Sequence, residues 1–317
     1  MVTAPRDPPR VSALDRGRWI ASGRPRPTSR RPYHGRWDGP LLLAPLIGFL
    51  CLTLGFPFLT DLVYSVSDIR FTALWSPHWT GLANYIDVAT DPGFWGAIGF
   101  SFRFALIATA AEVALGFLLV LALSPLIERH RWLMAFLVLP MMVSPALLGI
   151  MYRLMLNEFV GIIPQYLDML GIDANLLGPD WVFTTLVGIE ILQWTPFALL
   201  ALLTAYQAIP GELIEAARID GGGGLAVLRF VTLPLLAPAF AITGFLRFID
   251  GFRVFDHIYV LTGGGPGTIT TSISLYIYKT FFQQQRIGPA VAASMFLLLG
   301  SVVLLRLAMT RALRGSR

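Results

Sequence analysis

Four ionisable side chains, Arg247, Asp250, Arg253 and Asp256, recur at steps of three inside an otherwise apolar stretch. A charge is costly in hydrocarbon, so each needs a partner or a polar surrounding. Residues three apart lie on adjacent helix faces, where opposite charges can neutralise each other. Three residues fall short of a full turn, so the series spirals and cannot all face lipid. Two chemistries fit. One is an internal salt-bridge ladder that fixes helix packing. The other is a wet cavity in which some of these groups hydrogen-bond a polar solute. A second apolar stretch carries Glu190, Gln193, Trp194, Pro196 and Phe197. Pro196 removes one backbone hydrogen bond and leaves carbonyls available. Acidic and amide groups beside flat rings suit a sugar, whose hydroxyls need hydrogen bonds and whose C–H faces pack on aromatics. Taken alone, the aromatics are as well explained by lipid or helix packing. In a third stretch Pro140 and Pro145 bracket Met141 and Ser144, the pattern of a broken helix. Arg103 and Glu112 are nine apart, on opposite faces of one helix, and do not pair directly.

Other chemistries find no residues. Gly263-Gly264-Gly265-Pro266-Gly267 lacks the Lys-Ser/Thr ending of a phosphate loop, and no GxxxxGK[ST] occurs. His34, His78, His130 and His257 are scattered, without HExxH. The one cysteine, Cys51, lies in an apolar run, so no disulfide framework or cysteine-rich metal site is expected. The chain is therefore expected to hold no cofactor and to hydrolyse no ATP.

The elements that position these groups follow from composition. Of 317 residues, 55% are hydrophobic and 14% charged, against about 25% charged in soluble domains. Mean hydropathy is +0.66. A soluble domain could not hide that much apolar surface, so the fold class is an all-α, polytopic membrane protein. Six apolar runs, each near the bilayer-spanning length of about 20 residues, fall at Leu41–Val66, Ala97–Leu123, Leu133–Met155, Val182–Leu203, Leu235–Leu261 and Pro289–Met309. With both termini inside, 17 Lys or Arg lie on the cytoplasmic side and only Arg70, Arg153, Lys279 and Arg286 outside. That asymmetry obeys the positive-inside rule. Residues 1–38 form a tail with nine Arg, expected to be disordered, cytoplasmic and in touch with anionic headgroups rather than nucleic acid. Trp75, Trp79, Tyr85 and Trp95 flank the second run as interfacial aromatics do. Loop 156–181 holds Glu158, Asp168, Asp173 and Asp180 without Lys or Arg, which fits a solvated acidic face more simply than a surface that meets a soluble partner. Residues 39–317 make the transmembrane domain.

One long polar connection, about residues 204–234, carries a helix with its own start and stop signals. Pro210 suits a first helical position, Glu212 and Glu215 favour the positive end, and Gly221 can terminate it. Leu213, Ala216, Ala217 and Asp220 share a face on which small residues allow close approach. The residues alone fit either an ordinary surface helix or a docking one. The run Glu215-Ala216-Ala217-Arg218-Ile219-Asp220-Gly221, continuing to Leu233-Pro234, resembles the EAA loop of permease subunits of binding-protein-dependent ABC importers. One departure is the glycine run 221–224, where that family usually has Ala after the first Gly.

The resemblance extends over roughly residues 41–317. LVLPMMVSPALLGIMYRLM, WTPFALLALLTAYQAIP and FRVFDHIYVLTGGGPG are similar to sugar permeases of the maltose and trehalose importer type. It implies a six-span importer permease in a bacterial cell membrane. Glu215, Ala216, Ala217, Arg218, Asp220 and Gly221 would dock in an ATPase subunit. The solute-lining positions would be Met141, Pro145, Glu190, Gln193, Trp194, Phe197, Arg247, Asp250, Gly251 and Val254. The chain differs from the maltose type at most of these, and Arg247 with Asp250 is nearer the trehalose pattern. Implied partners are a second homologous permease, two copies of an ABC ATPase that hold the ATP and Mg, and an extracytoplasmic binding protein. The same architecture could import a polyol, glycerol phosphate or oligopeptide. A secondary transporter would carry inverted repeats, and none is evident. A membrane enzyme would need a nucleophile or metal cluster within the spans.

Overall fold

The computed structural model describes residues 38–130, 132–172 and 174–315. The arginines of the tail, Arg131, Asp173 and Arg317 lie outside the described residues. Two compact units divide the chain, Met1–Phe58 and Leu59–Arg317. In the first, α1 (Asp38–Leu50) leads into a π turn at Cys51–Gly55. The apolar side chains Leu46, Phe49, Leu52 and Leu54 are all exposed, as a lipid-facing helix requires.

The second unit is helical apart from a two-residue antiparallel pair, β1 (Ser67–Asp68) with β2 (His78–Trp79). After α2 (Phe56–Ser65) and α3 (Ala83–Thr90) comes the long α4 (Pro92–Arg129). Asp91 caps α4, accepting from the Gly93 N–H at 2.8 Å. The Tyr276 hydroxyl donates to the other Asp91 oxygen at 2.6 Å. Burial, and then that carboxylate, push the Tyr276 phenol above its ordinary range. The chain continues through α5 (Trp132–Met142), α6 (Pro145–Met155), α7 (Ile162–Met169) and α8 (Val182–Gln207). Then follow α9 (Gly211–Ile219), α10 (Gly224–Val227), a π turn at Leu228–Thr232, α11 (Leu233–Phe252) and α12 (Asp256–Leu261). Finally α13 (Ile273–Tyr278) runs into a π turn at Lys279–Gln283, and α14 spans Ile287–Gly315.

Among the described residues four stretches are long and apolar enough to cross a bilayer: Leu43–Ser65, Pro92–Arg129, Val182–Gln207 and Gly224–Leu261. The pair α5 and α6, bent by 81°, makes a fifth if read as one passage. The last expected span falls in α14, whose apolar part Ile287–Val303 is shorter.

The core sits where α4, α8 and α11 meet. Phe100, Phe104, Leu186 and Ile258 are buried together, and Val120, Leu199 and Leu202 continue the same seam. Gly116 lets α4 approach α8 closely. A Cβ there would lie 2.8 Å from the Ala198 Cβ and 2.9 Å from the Leu199 nitrogen. Small residues at such a crossing let backbones meet where no water-driven force presses them together.

Two spans are broken, and only one break follows a sequence signal. The chain parts at Val143–Ser144 between Pro140 and Pro145, as the prolines predict. The expected continuous helix over Leu235–Leu261 instead parts at Arg253–Phe255, so the four-charge ladder is not carried on one helix. The physical reason is an exchange of partners. Ser272 donates to the Val254 carbonyl at 2.6 Å and Ser274 to the Arg253 carbonyl at 2.9 Å, satisfying groups that a helix would otherwise bond. Conversely, α8 runs on through Pro196. A proline takes away one bond and is tolerated where neighbouring helices pack against it.

The crossing at Gly116 yields a direct check. Gly116→Val should destabilise the purified protein in detergent by about 1–3 kcal/mol, because Ala198 and Leu199 are held in a packed helix. Gly99, with nothing within 4 Å of its added Cβ, is the control, and Gly99→Ala should leave the melting temperature unchanged.

Candidate functional site

Arg247 is 2% exposed and reaches across two helices. Its Nε donates to Glu112 Oε2 at 2.7 Å, and its Nη2 donates to Glu190 Oε1 at 2.8 Å. Nη2 also lies 3.2 Å from Glu112 Oε1, so the grip on Glu112 is two-pronged. Glu112 comes from α4, Glu190 from α8 and Arg247 from α11, and both carboxylates are buried. The guanidinium also lies over the Trp194 ring, 4.5 Å from its centroid. Arg103 turns elsewhere, donating to the Gly99 carbonyl, so it and Glu112 do not pair, as their nine-residue spacing predicts. What the spacing did not reveal is the partner Glu112 does have.

Asp250 stands at the edge of this cluster. It accepts from Arg247 at 3.3 Å and from Arg253 at 3.4 Å, yet its side chain is 54% exposed. Two of the expected ladder contacts thus form, on the α11 side of the break. Asp256, beyond the break, opens α12 and is exposed. Buried beside it, His257 Nε2 faces Glu190 Oε2 at 3.4 Å. That approach lacks hydrogen-bond geometry, and both atoms are buried without another partner. Both groups border an open space.

That space is a cavity of about 480 Å³. Of the positions implied by the sequence, Pro145, Glu190, Trp194, Arg247, Asp250 and Val254 line it. Gln193 is instead a backbone prop: its Nε2 donates to the Val143 carbonyl at 3.0 Å, capping the break between α5 and α6. Gly251 packs on Ala105 of α4, where a Cβ would come within 3.3 Å of the Ala105 Cα. Met141 and Phe197 are half-buried and outside the lining. Arg253 and Asp256, read only as ladder members, do line it, together with Phe255, His257 and Ser274. Phe255 was missed because a continuous helix points it away from Asp250, and Ser274 because it lies in a separate segment, α13. An isolated histidine after a charge series was the available signal for His257.

The lining combines carboxylates that accept hydrogen bonds, a guanidinium that donates, and the rings of Trp194 and Phe255. This suits a hydroxylated solute with apolar faces. Among the described residues no cluster of His, Cys, Asp or Glu could hold a metal ion.

Away from the cavity, α9 is exposed and contains no buried residue. Pro210 stands at its cap, one position before the expected start. Glu215, Ala216, Arg218 and Asp220 are exposed and Ala217 half-buried. Gly221 adopts φ +86°, and the Gly221 and Gly222 N–H groups bond back to the Arg218 and Ala217 carbonyls at 3.1 and 2.9 Å. This is a left-handed glycine stop. The departure at position 222 fits it, since a Cβ there would lie 2.6 Å from the Ala217 oxygen.

Removing Arg247 alone would strand two buried carboxylates. Arg247→Met should lower stability by about 3–5 kcal/mol and prevent accumulation of folded protein. Adding Glu112→Gln and Glu190→Gln should restore accumulation, read by size-exclusion profile. Recovery with the single change alone would remove the clamp from the account of folding.

Comparisons with known proteins bear on the family and the fold. Residues 113–310 match the family described as binding-protein-dependent transport system inner membrane component. The trehalose/maltose transport system permease protein MalF of Thermococcus litoralis is 33% identical over 288 residues, 90% of this chain and 97% of that protein. The multiple sugar-binding transport system permease protein MsmF of Streptococcus mutans is 28% identical over 90% of this chain and 98% of its own length. Among solved structures, a bacterial ABC transporter involved in import of the acidic polysaccharide alginate has a chain that superposes with TM-score 0.76 at 22% identity, covering 89% of this chain and 96% of that one. The chain belongs to the binding-protein-dependent transport system inner membrane components, as a multi-pass permease subunit of the ABC importers.

Proposed function

We propose that the chain carries a sugar into the cytoplasm as one of two homologous permeases in an ATP-driven importer of the bacterial inner membrane. The observation that carries this reading is the cavity at the break between α11 and α12. There Asp250, Asp256 and Glu190 offer acceptors beside Trp194 and Phe255. The names of the relatives, trehalose/maltose and multiple sugar, support the same class. In this reading the chain makes six passages with both termini cytoplasmic. The exposed α9 docks in an ATPase subunit, two copies of which bind and hydrolyse ATP with Mg. An extracytoplasmic binding protein delivers the solute. Closure of the ATPase pair moves α9, and the helices around the cavity switch from inward-open to outward-open. A solute biases that switch only by binding the two states unequally.

Asp250 is the decisive residue because Arg247 keeps two other carboxylates without it. Asp250→Asn therefore leaves no buried charge unpaired and should assemble normally. It should lose sugar uptake in proteoliposomes about tenfold or more, the worth of a charge-assisted hydrogen bond. Trp194→Ala should act in the same direction. Uptake at wild-type rate and specificity in both variants, beside normal subunit stoichiometry, removes them from the site.

Coupling is tested separately. Glu215→Lys reverses charge on the exposed α9, and Gly221→Pro cannot adopt the positive φ that ends it. Each should insert and bind its partner permease yet abolish uptake and solute-stimulated ATP hydrolysis. Normal uptake in either variant, at equal expression, counts against docking through α9.

A further inference from the structure

The charges in and behind the cavity do not balance. Carboxylates of Glu112, Glu190, Asp250 and Asp256 stand against the guanidiniums of Arg247 and Arg253, an excess of two negative charges. A proton on one carboxylate, or on His257, would halve that excess without reversing its sign. Among the described residues no further cation lines the space. Arg153 of α6 is taken up by the Val260 carbonyl, 3.2 Å from its Nη1. Lys279 lies by Gly264, where an added Cβ would come within 2.8 Å of its Nζ.

The two signs also differ in what they have left to offer. Arg247 is buried, and its Nε, Nη1 and Nη2 already serve Glu112, Asp250 and Glu190. A solute anion could reach it only by displacing one of them. Arg253 is 55% exposed, but its Nη2 lies 3.4 Å from Asp250 Oδ1, so an anion beside it also meets that carboxylate. Asp256 is exposed on the cavity side and forms no ion pair among the described residues. Glu190 Oε2 has no hydrogen-bond partner. The cavity thus holds spare acceptors of negative charge and no unshared cation. A cleft between low-dielectric walls, lined by one sign of charge, raises the local concentration of the opposite sign about 10- to 1,000-fold and depletes its own. Specificity built in this way acts by repelling the wrong solute as much as by holding the right one.

We infer that the cavity selects its solute by charge: Asp250 and Asp256 bar anionic sugars and sugar phosphates, while a ring bearing an ammonium group enters at least as readily as a neutral one. The inference rests on the sugar-import reading and narrows it. Of the solutes this architecture could carry, glycerol phosphate and the uronic acids are excluded.

The test uses the assembled transporter with its binding protein in proteoliposomes. A radiolabelled panel of neutral mono-, di- and trisaccharides of glucose, galactose, mannose and xylose first identifies a sugar that the wild type carries. Three analogues of that sugar follow, with the C6 hydroxymethyl group replaced by a carboxamide, a carboxylate or an aminomethyl group. Carboxamide and carboxylate have the same shape, so the difference between them reads charge alone. Wild-type uptake of the acid should be about tenfold or more slower than that of the amide, and the amine should match or exceed the amide. Asp256→Asn and Asp250→Asn strand no buried charge. With the same binding protein throughout, a change in the acid-to-amide ratio belongs to this chain. Each variant should narrow the gap about threefold or more at unchanged subunit stoichiometry, whatever it does to uptake of the neutral parent. Acid carried as fast as amide by the wild type overturns the inference. A gap that both variants leave intact overturns it too and assigns the selection to the binding protein; in both cases the sugar reading stands, because the neutral parent is carried. If the wild type carries none of the panel, the sugar reading fails and the charge rule with it.

Discussion

Holding a guanidinium out of water costs several kcal/mol unless its donors are met by acceptors of opposite charge. Arg247 satisfies that condition by drawing a carboxylate from each of two other helices. The same condition holds for Glu112 and Glu190, which would be untenable as carboxylates in an apolar bundle without it. Three spans are thereby tied at one point, and their relative registers are fixed there to within a hydrogen-bond length. Leu or Phe contacts elsewhere in the seam can slide by a methyl group at small cost. A two-pronged carboxylate–guanidinium contact cannot. The cavity, the position of Trp194 and the half-exposed state of Asp250 all take their geometry from this cluster.

A second constraint governs the backbone. Inside a membrane a carbonyl without a donor is as unwelcome as a charge without a counter-charge. The structure breaks helices beside the cavity and meets each break with a side chain from elsewhere. Gln193 of α8 caps Val143, and Ser272 and Ser274 cap Val254 and Arg253. Polar residues that looked like solute ligands or ordinary loop residues in the sequence prove to be parts of the scaffold. The breaks matter to the site because irregular backbone turns Phe255 and Asp256 towards a space that a regular helix would hide.

Much of the fold was legible in the sequence for simple reasons. Apolar runs of spanning length leave few arrangements open. The tight stop at Gly221 and the break between Pro140 and Pro145 were equally readable, since glycine and proline act through the local backbone. The site was half legible. Glu190, Trp194, Arg247 and Asp250 announce themselves as polar groups in apolar runs. Periodicity within one helix cannot say which helix supplies the partner, so the pairing of Glu112 with Arg247, 135 residues apart, had no local signature. Nor had the break after Arg253, because its cause lies in two serines some twenty residues downstream. Pro196 gave the opposite error: its local rule predicts exposed carbonyls, while packing carries α8 through it.

The division between the buried clamp and the half-exposed groups in front of it has a consequence for how such a chain can change. Glu112, Glu190 and Arg247 are bound to one another, so altering any one of them endangers the fold. Asp250, Arg253 and Asp256 stand on the cavity side, in contact with water, and their replacement strands no buried charge. If the cavity holds the solute, as proposed, the part of selectivity that rests on these three residues is separable from folding, while Glu190 and Arg247 serve both. A lineage could then exchange one cargo for another by single substitutions at the three without first acquiring a stabilising mutation elsewhere.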